Sequence, residues 1–137
     1  MSRVIFASHG GLSKGMKDSV SMIVGDLAKD VETYSLLPGQ NPEDFYQEVL
    51  KEAKESEEQI VILCDIKGGS VHTALSKLAV LDNVMVFSGM NMGLVLDAVM
   101  KGLNGKLELA EANDLIEAAK DGMTVMNGIT SEDDEDF

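Results

Sequence analysis

The chain reads as an α/β domain built on a doubly wound, mainly parallel sheet with strand order 2-1-3-4. Three observations predict it. Short apolar runs alternate with segments of helical periodicity along the 137 residues, the pattern of βαβ units joined by right-handed crossovers. The runs VIFAS, IVILC and VMVFS are apolar throughout rather than at every second residue, as in strands covered on both faces. Each run is followed within a few residues by glycine, at Gly10-Gly11, Gly68-Gly69 and Gly89, which suits turning the chain out of a sheet.

Val4–Ser8 opens the sheet. Met16, Val20, Ile23, Val24 and Leu27 then recur at helical spacing. Val31–Leu37 is rich in β-branched and aromatic residues and stops at Pro38-Gly39. Asn41 is the expected cap of the next helix, with Pro42 at its first position and Glu43 and Asp44 in its first turn. Phe45, Val49, Leu50 and Ala53 form the inner face of that helix. Ile60–Cys64 is the third strand, and Ser70 reads as the cap of a helix carrying Val71, Leu75, Leu78 and Ala79. Val84–Ser88 is the fourth strand. Asn91–Met100 reads as a helix stopped by Gly102, and Leu109, Ala112, Leu115, Ile116 and Ala119 mark a last helix closed by Gly122. Met123–Met126 is the candidate for a short fifth strand. Residues 1–130 read as one domain. Residues 131–137 carry a block of like charge without periodicity and read as an acidic, disordered tail.

Acidic residues number 24 and basic residues 11, a net charge of −13. That balance argues against nucleic acid and against an anionic membrane surface, both of which call for basic faces. It suits plain solubility and the steering of a basic partner equally. No apolar run approaches the ~20 residues of a membrane span. MSRVIFASHGG reads as a first strand rather than a signal peptide. One cysteine excludes an internal disulfide framework and fits a reducing compartment. That residue, Cys64, ends an apolar run and is expected in the core. Met16, Met22, Met90, Met92 and Met100 read as core or interface filler.

Ligands of open parallel sheets bind beyond the carboxyl ends of the strands, where the strand order reverses. Here that crevice lies between strands 1 and 3, and the residues just past their ends are His9 and Asp65. A carboxylate accepting from Nδ1–H fixes the imidazole tautomer, leaves Nε2 free as a nucleophile and stabilises the cation formed on attack. Gly10, Gly11, Gly68 and Gly69 flank the pair, and glycine backbones approach closely and cradle anions. Ser70, at a helix start, adds a place for a phosphate. A histidine nucleophile beside an anion nest points to phosphoryl transfer through phosphohistidine. A lone histidine after a strand is more often a plain loop residue, but the matching aspartate and both glycine pairs reverse those odds. His72 lies near the site with no assigned partner and reads as a bystander. A metal site of His9, Asp65 and His72 lacks a close-spaced ligand pair. Dinucleotide, P-loop and serine-hydrolase motifs are absent.

VIFASHGGLSKGMKDS, LLPGQNPEDF, VILCDIKGGSVHTAL and VFSGMNMGLVLDAV together resemble, in order and spacing, the IIA domain of the mannose-type phosphotransferase system. The resemblance covers most of residues 1–130. It implies a cytoplasmic sugar-transport component whose histidine takes a phosphoryl group from the phosphocarrier HPr and passes it to a IIB protein, here expected as a separate polypeptide. The membrane components IIC and IID are then met only indirectly. By resemblance the active histidine is His9 within S-H-G, its aspartate partner is Asp65 within C-D-I-K-G-G-S, and Gly68, Gly69 and Ser70 form the turn beside the site. No cofactor or metal is needed, because the phosphoryl group arrives already activated. The resemblance also implies a homodimer exchanging a C-terminal strand, for which Met123–Met126 is the candidate. Other members often carry Trp or Phe between the aspartate and the glycines and Pro after the serine. Ile66-Lys67 and Val71 stand there in this chain, which bears on partner preference. Two alternatives are a phosphoryl donor for dihydroxyacetone kinase, whose N-terminal domain shares the fold and a strand-1 histidine, and a non-catalytic regulatory interaction module.

Overall fold

The computed structural model describes residues 2–128. The elements are β1 (Arg3–His9), α1 (Leu12–Val24) running into a 3-10 turn (Gly25–Ala28), β2 (Glu32–Leu36), α2 (Pro42–Lys54), β3 (Ile60–Cys64), α3 (Ser70–Leu75) running into a second 3-10 turn (Ser76–Val80), β4 (Val84–Phe87), α4 (Met92–Leu103) and α5 (Leu109–Asp121). The four strands are ordered β2-β1-β3-β4 and every pair is parallel, as the alternating apolar runs predict.

Successive side chains of a strand point to opposite faces, so the two central strands feed two cores. Val4 and Phe6 of β1 and Val61 and Leu63 of β3 pack with α1, α4 and α5. Ile5 and Ala7, with Ile60, Ile62 and Cys64, pack with α2 and α3. Both faces are covered, which is why these strands carry no polar alternation.

The helix ends follow local chemistry. Asn41 accepts from the Glu43 N–H ahead of Pro42, Asn91 accepts from the Leu94 N–H, and Glu108 and Glu111 form a reciprocal capping box. Three expectations are corrected. Gly69, not Ser70, caps α3, because the Ser70 hydroxyl is drawn to another partner. Gly102 does not stop α4. It is buried within the helix, and its carbonyl accepts from the Ser2 N–H at 3.0 Å, so packing on the start of β1 outweighs its poor helix propensity. The stop falls at Asn104-Gly105. Ile23 and Leu27 are 62% and 54% exposed: Ile23 stands on the outer side of the last turn of α1, and Leu27 lies past Gly25, whose φ of +60° breaks the helical period. Of the methionines, Met16 and Met90 are buried whereas Met22 and Met100 are exposed.

Residues 123–126 form no strand within the described chain, and Met123, Val125 and Met126 are exposed. The acidic stretch 131–137 lies outside the described residues.

Candidate active site

His9 is the last residue of β1, in register with Leu36 of β2. Asp65 follows directly on β3, whose Cys64 pairs with Ala7. Adjacent parallel strands that end together therefore place the histidine and the carboxylate side by side, at the reversal of strand order. Asp65 Oδ2 accepts from both the His9 backbone N–H and the ring Nδ1, each at 2.8 Å. Its Oδ1 accepts from the Ile66 N–H at 2.9 Å. Burial alone would raise the Asp65 carboxyl. The hydrogen bonds from the His9 N–H, the His9 ring and the Ile66 N–H outweigh burial and hold it below its ordinary value.

An ionised carboxylate only accepts, so the ring proton sits on Nδ1 and the lone pair on Nε2. The Ser70 hydroxyl donates to that lone pair at 3.0 Å. The His9 side chain is 46% exposed and that of Asp65 only 9%. The carboxylate is thus sheltered while the imidazole is accessible.

The glycines have distinct roles. Gly10, at φ +55°, turns the chain out of β1 while its N–H donates to the Leu36 carbonyl at 2.8 Å. Gly69 lies against the ring. A Cβ there would sit 2.8 Å from Ile66 Cγ2 and 3.2 Å from His9 Cε1, so a side chain would push on the imidazole. The Gly68 N–H donates to His72 Nδ1 at 3.0 Å and the Gly69 N–H to the Ile66 carbonyl at 3.2 Å. Of the residues singled out to hold phosphoryl oxygens, Gly11 and Ser70 are those whose N–H has no acceptor among the described residues.

His72 therefore has a partner that spacing did not reveal. Ser8 was also missed. It is buried, and its hydroxyl accepts from the Ser13 N–H at 2.8 Å, capping α1 where Gly11 has no side chain to do so. The S-x-x-x-x-S spacing was the available signal. Burial, reinforced by the Asp65 charge, pushes the Cys64 thiol up to about 12, so it is inert as a nucleophile at neutral pH. Among the described residues, no group of three His, Cys, Asp or Glu could hold a metal ion. A cavity of about 700 Å³ opens at the opposite end of the sheet, lined by Ser2, Gln59 and Asn83 among others. It is remote from His9.

Comparison with known proteins bears on this arrangement. The family model described as PTS system fructose IIA component matches residues 3–119. A PTS system sorbose-specific EIIA component from Klebsiella pneumoniae is 33% identical over 101 residues, covering 72% of this chain and 73% of that protein. Phosphotransferase system component EIIA from Streptococcus agalactiae superposes with a TM-score of 0.78 at 22% identity, covering 91% of this chain and 97% of the other. The mannose/sorbose-specific IIA subunit from Enterococcus faecalis superposes with a TM-score of 0.74 at 21% identity, covering 92% and 95%. At those identities the two structures speak for the fold.

Proposed function

The chain belongs to the fructose and mannose-type IIA family of the phosphotransferase system, and on that premise we propose that His9 accepts a phosphoryl group at Nε2 from phospho-HPr and passes it to a separate IIB component. The observation that carries the reading is the 2.8 Å contact between His9 Nδ1 and Asp65 Oδ2, which supports a neutral ring with its lone pair on the exposed nitrogen.

The step follows from that tautomer. The Ser70 hydroxyl leaves Nε2 as the donor's phosphohistidine arrives. The Nε2 lone pair attacks phosphorus and the donor's P–N bond breaks, its electron pair returning to the donor imidazole. Positive charge grows on the His9 ring, and the Asp65 carboxylate, already ionised and in contact, stabilises it without reorganising. The freed Ser70 hydroxyl and the N–H groups of Gly11 and Ser70 are the groups proposed to take the phosphoryl oxygens. Gly10, Gly68 and Gly69 shape the turns around them. Transfer to IIB reverses the sequence of bonds.

This reading puts the chain in the cytoplasm beside HPr, with residues 1–130 as the working domain. No helix among the described residues is long and apolar enough to cross a membrane. Exchange of residues 123–126 between two copies belongs to the same reading. The sorbose-specific relative makes a sorbose-type IIB the first acceptor to assay.

The test is labelling with phosphoenolpyruvate, enzyme I and HPr. Wild type is expected to take up one phosphoryl group per chain and His9→Ala none. Label persisting in His9→Ala overturns the assignment.

A further inference from the structure

The turn that follows β3 supplies three of the groups set around the imidazole. Asp65 holds Nδ1, Gly69 lies against Cε1, and Ser70 meets Nε2. Yet this turn is built on two successive glycines, the residues least able to hold a conformation by themselves. It leads into a helix of six residues without a side-chain hydrogen bond at its cap. Something outside the glycines has to hold it.

Two of the hydrogen bonds that do so are backbone bonds, and the Thr73 hydroxyl donates to the Gly68 carbonyl at 3.4 Å. The Gly69 N–H donates to the Ile66 carbonyl at 3.2 Å, and the Thr73 N–H to the Gly69 carbonyl at 2.8 Å. Gly68, at φ +79°, is left with its N–H directed out of the turn, and His72 Nδ1 accepts it at 3.0 Å. His72 is the third residue of α3, the place from which Glu or Gln reaches back in a capping box. Here the reach extends one residue further, to the position before the cap. The geometry requires Nδ1 to be the unprotonated nitrogen of that ring.

We propose that His72 is a positioning residue for His9, its Nδ1 clamping the Gly68 N–H so that Gly69 and Ser70 stay in place against the nucleophilic ring. The proposal rests on the reading of His9 as phosphoryl acceptor and adds a residue that reading does not use. It does not make His72 a catalytic residue, since its contact is with the Gly68 backbone and not with the reacting atoms.

Three substitutions separate clamping from mere folding. His72→Leu keeps bulk and removes the acceptor. His72→Asn places Oδ1 where Nδ1 stood. His72→Gln carries its acceptor one bond further out. The rate of labelling by phospho-HPr is expected to fall about three- to tenfold in His72→Leu, the range spanned by one hydrogen bond. It should return to within about twofold of wild type in His72→Asn and stay low in His72→Gln. In ¹⁵N NMR of the unphosphorylated protein, His72→Leu is expected to shift both the Gly68 amide and His9 Nε2, the latter by loss of the Ser70 donor. His72→Asn should restore both signals. A wild-type labelling rate in His72→Leu, a displaced Gly68 amide with His9 Nε2 unmoved, or failure of Asn to rescue would each overturn the proposal. If His72→Leu does not fold, the Asn and Gln pair decides by the same readouts. If wild type itself takes no label, it is the phosphoryl-acceptor reading that fails, and the two NMR signals still decide whether His72 positions the ring.

Discussion

The two ends of the parallel sheet are built differently. The loops at the carboxyl end of the strands, residues 10–11, 37–41, 65–69 and 88–91, contain one acid, Asp65, and one base, Lys67. Leu37 and Ile66 within them, and Leu12 at the start of α1, are exposed. The loops at the other end, residues 25–31, 55–59, 81–83 and 104–108, carry Asp26, Asp30, Glu55, Glu57, Glu58, Asp82 and Glu108 against Lys29 and Lys106. The difference shows where a net charge of −13 is tolerated. An anionic phosphoryl group approaching an acidic rim would be repelled. The acids of the loops stand away from the His9 imidazole, except for Asp65, which meets it. The whole-chain charge says little about the surface around His9.

The ends also use hydrogen bonds to different purposes. At the far end they tie elements together. Gln59 accepts from the Ser2 hydroxyl at 2.7 Å and from the Leu107 N–H at 2.8 Å, and donates to the Leu107 carbonyl at 2.8 Å. Asn83 Nδ2 reaches the carbonyls of Ala53, Ser56 and Glu58, each at 3.1 Å. At the near end hydrogen bonds aim one ring. Substitutions should accordingly separate activity from stability.

The largest effect is expected for Asp65→Asn. Whichever way the carboxamide is turned, its N–H₂ faces a donor, either the Ile66 N–H or the pair on His9. The Nδ1–H tautomer loses its fixed partner and the growing cation its counter-charge. The rate of phosphoryl acceptance should fall by about a hundredfold or more, measured by rapid quench with phospho-HPr. An unchanged rate would remove Asp65 from the mechanism and erase the contrast between the ends. The same variant has a pH signature. Because the folded carboxyl is held below its ordinary 3.8, its contribution to stability is complete above the unfolded value and lost as pH falls through the lowered one. Urea midpoints of wild type should thus fall more steeply below about pH 4 than those of Asp65→Asn.

At the opposite end, Gln59→Ala should cost about 2–3 kcal/mol of stability, by stranding both polar groups of Leu107 and leaving the Ser2 hydroxyl only the 3.3 Å contact with the Gly105 carbonyl. The labelling rate of the folded protein should be unchanged. A loss of rate at equal folded fraction would mean that the two ends are coupled. A smaller change is expected for Gly69→Ala, whose Cβ would press on Ile66 Cγ2 and His9 Cε1. The rate should drop about tenfold, the order of a 1–2 kcal/mol clash, with partial recovery in the double variant with Ile66→Ala. No recovery would show that the strain lies in the backbone rather than in the Ile66 side chain.

Much of the architecture was legible before any coordinates. Strands apolar at every position announce burial on both faces, and the cap and proline at Asn41-Pro42 mark α2 to the residue. The failures have a common cause. Leu27 keeps the helical period but lies where α1 has ended. Gly102 has the composition of a stop but is held inside α4 by contact with the start of β1. Ser70 has the chemistry of a cap, but its hydroxyl is engaged by a histidine from another strand. Periodicity records which face a residue would occupy, not which neighbour from a distant segment will claim it.

The pattern of apolar runs and glycines dictated a parallel, doubly wound sheet, and with it the meeting of His9 and Asp65, because both follow strands that must lie side by side. Tertiary structure alone decided that Ser70 meets Nε2 of His9, that Gly69 abuts the ring and that His72 holds Gly68. Those outcomes turn on loops from separate strands approaching within a few tenths of an ångström, a distance that no periodicity in a chain encodes.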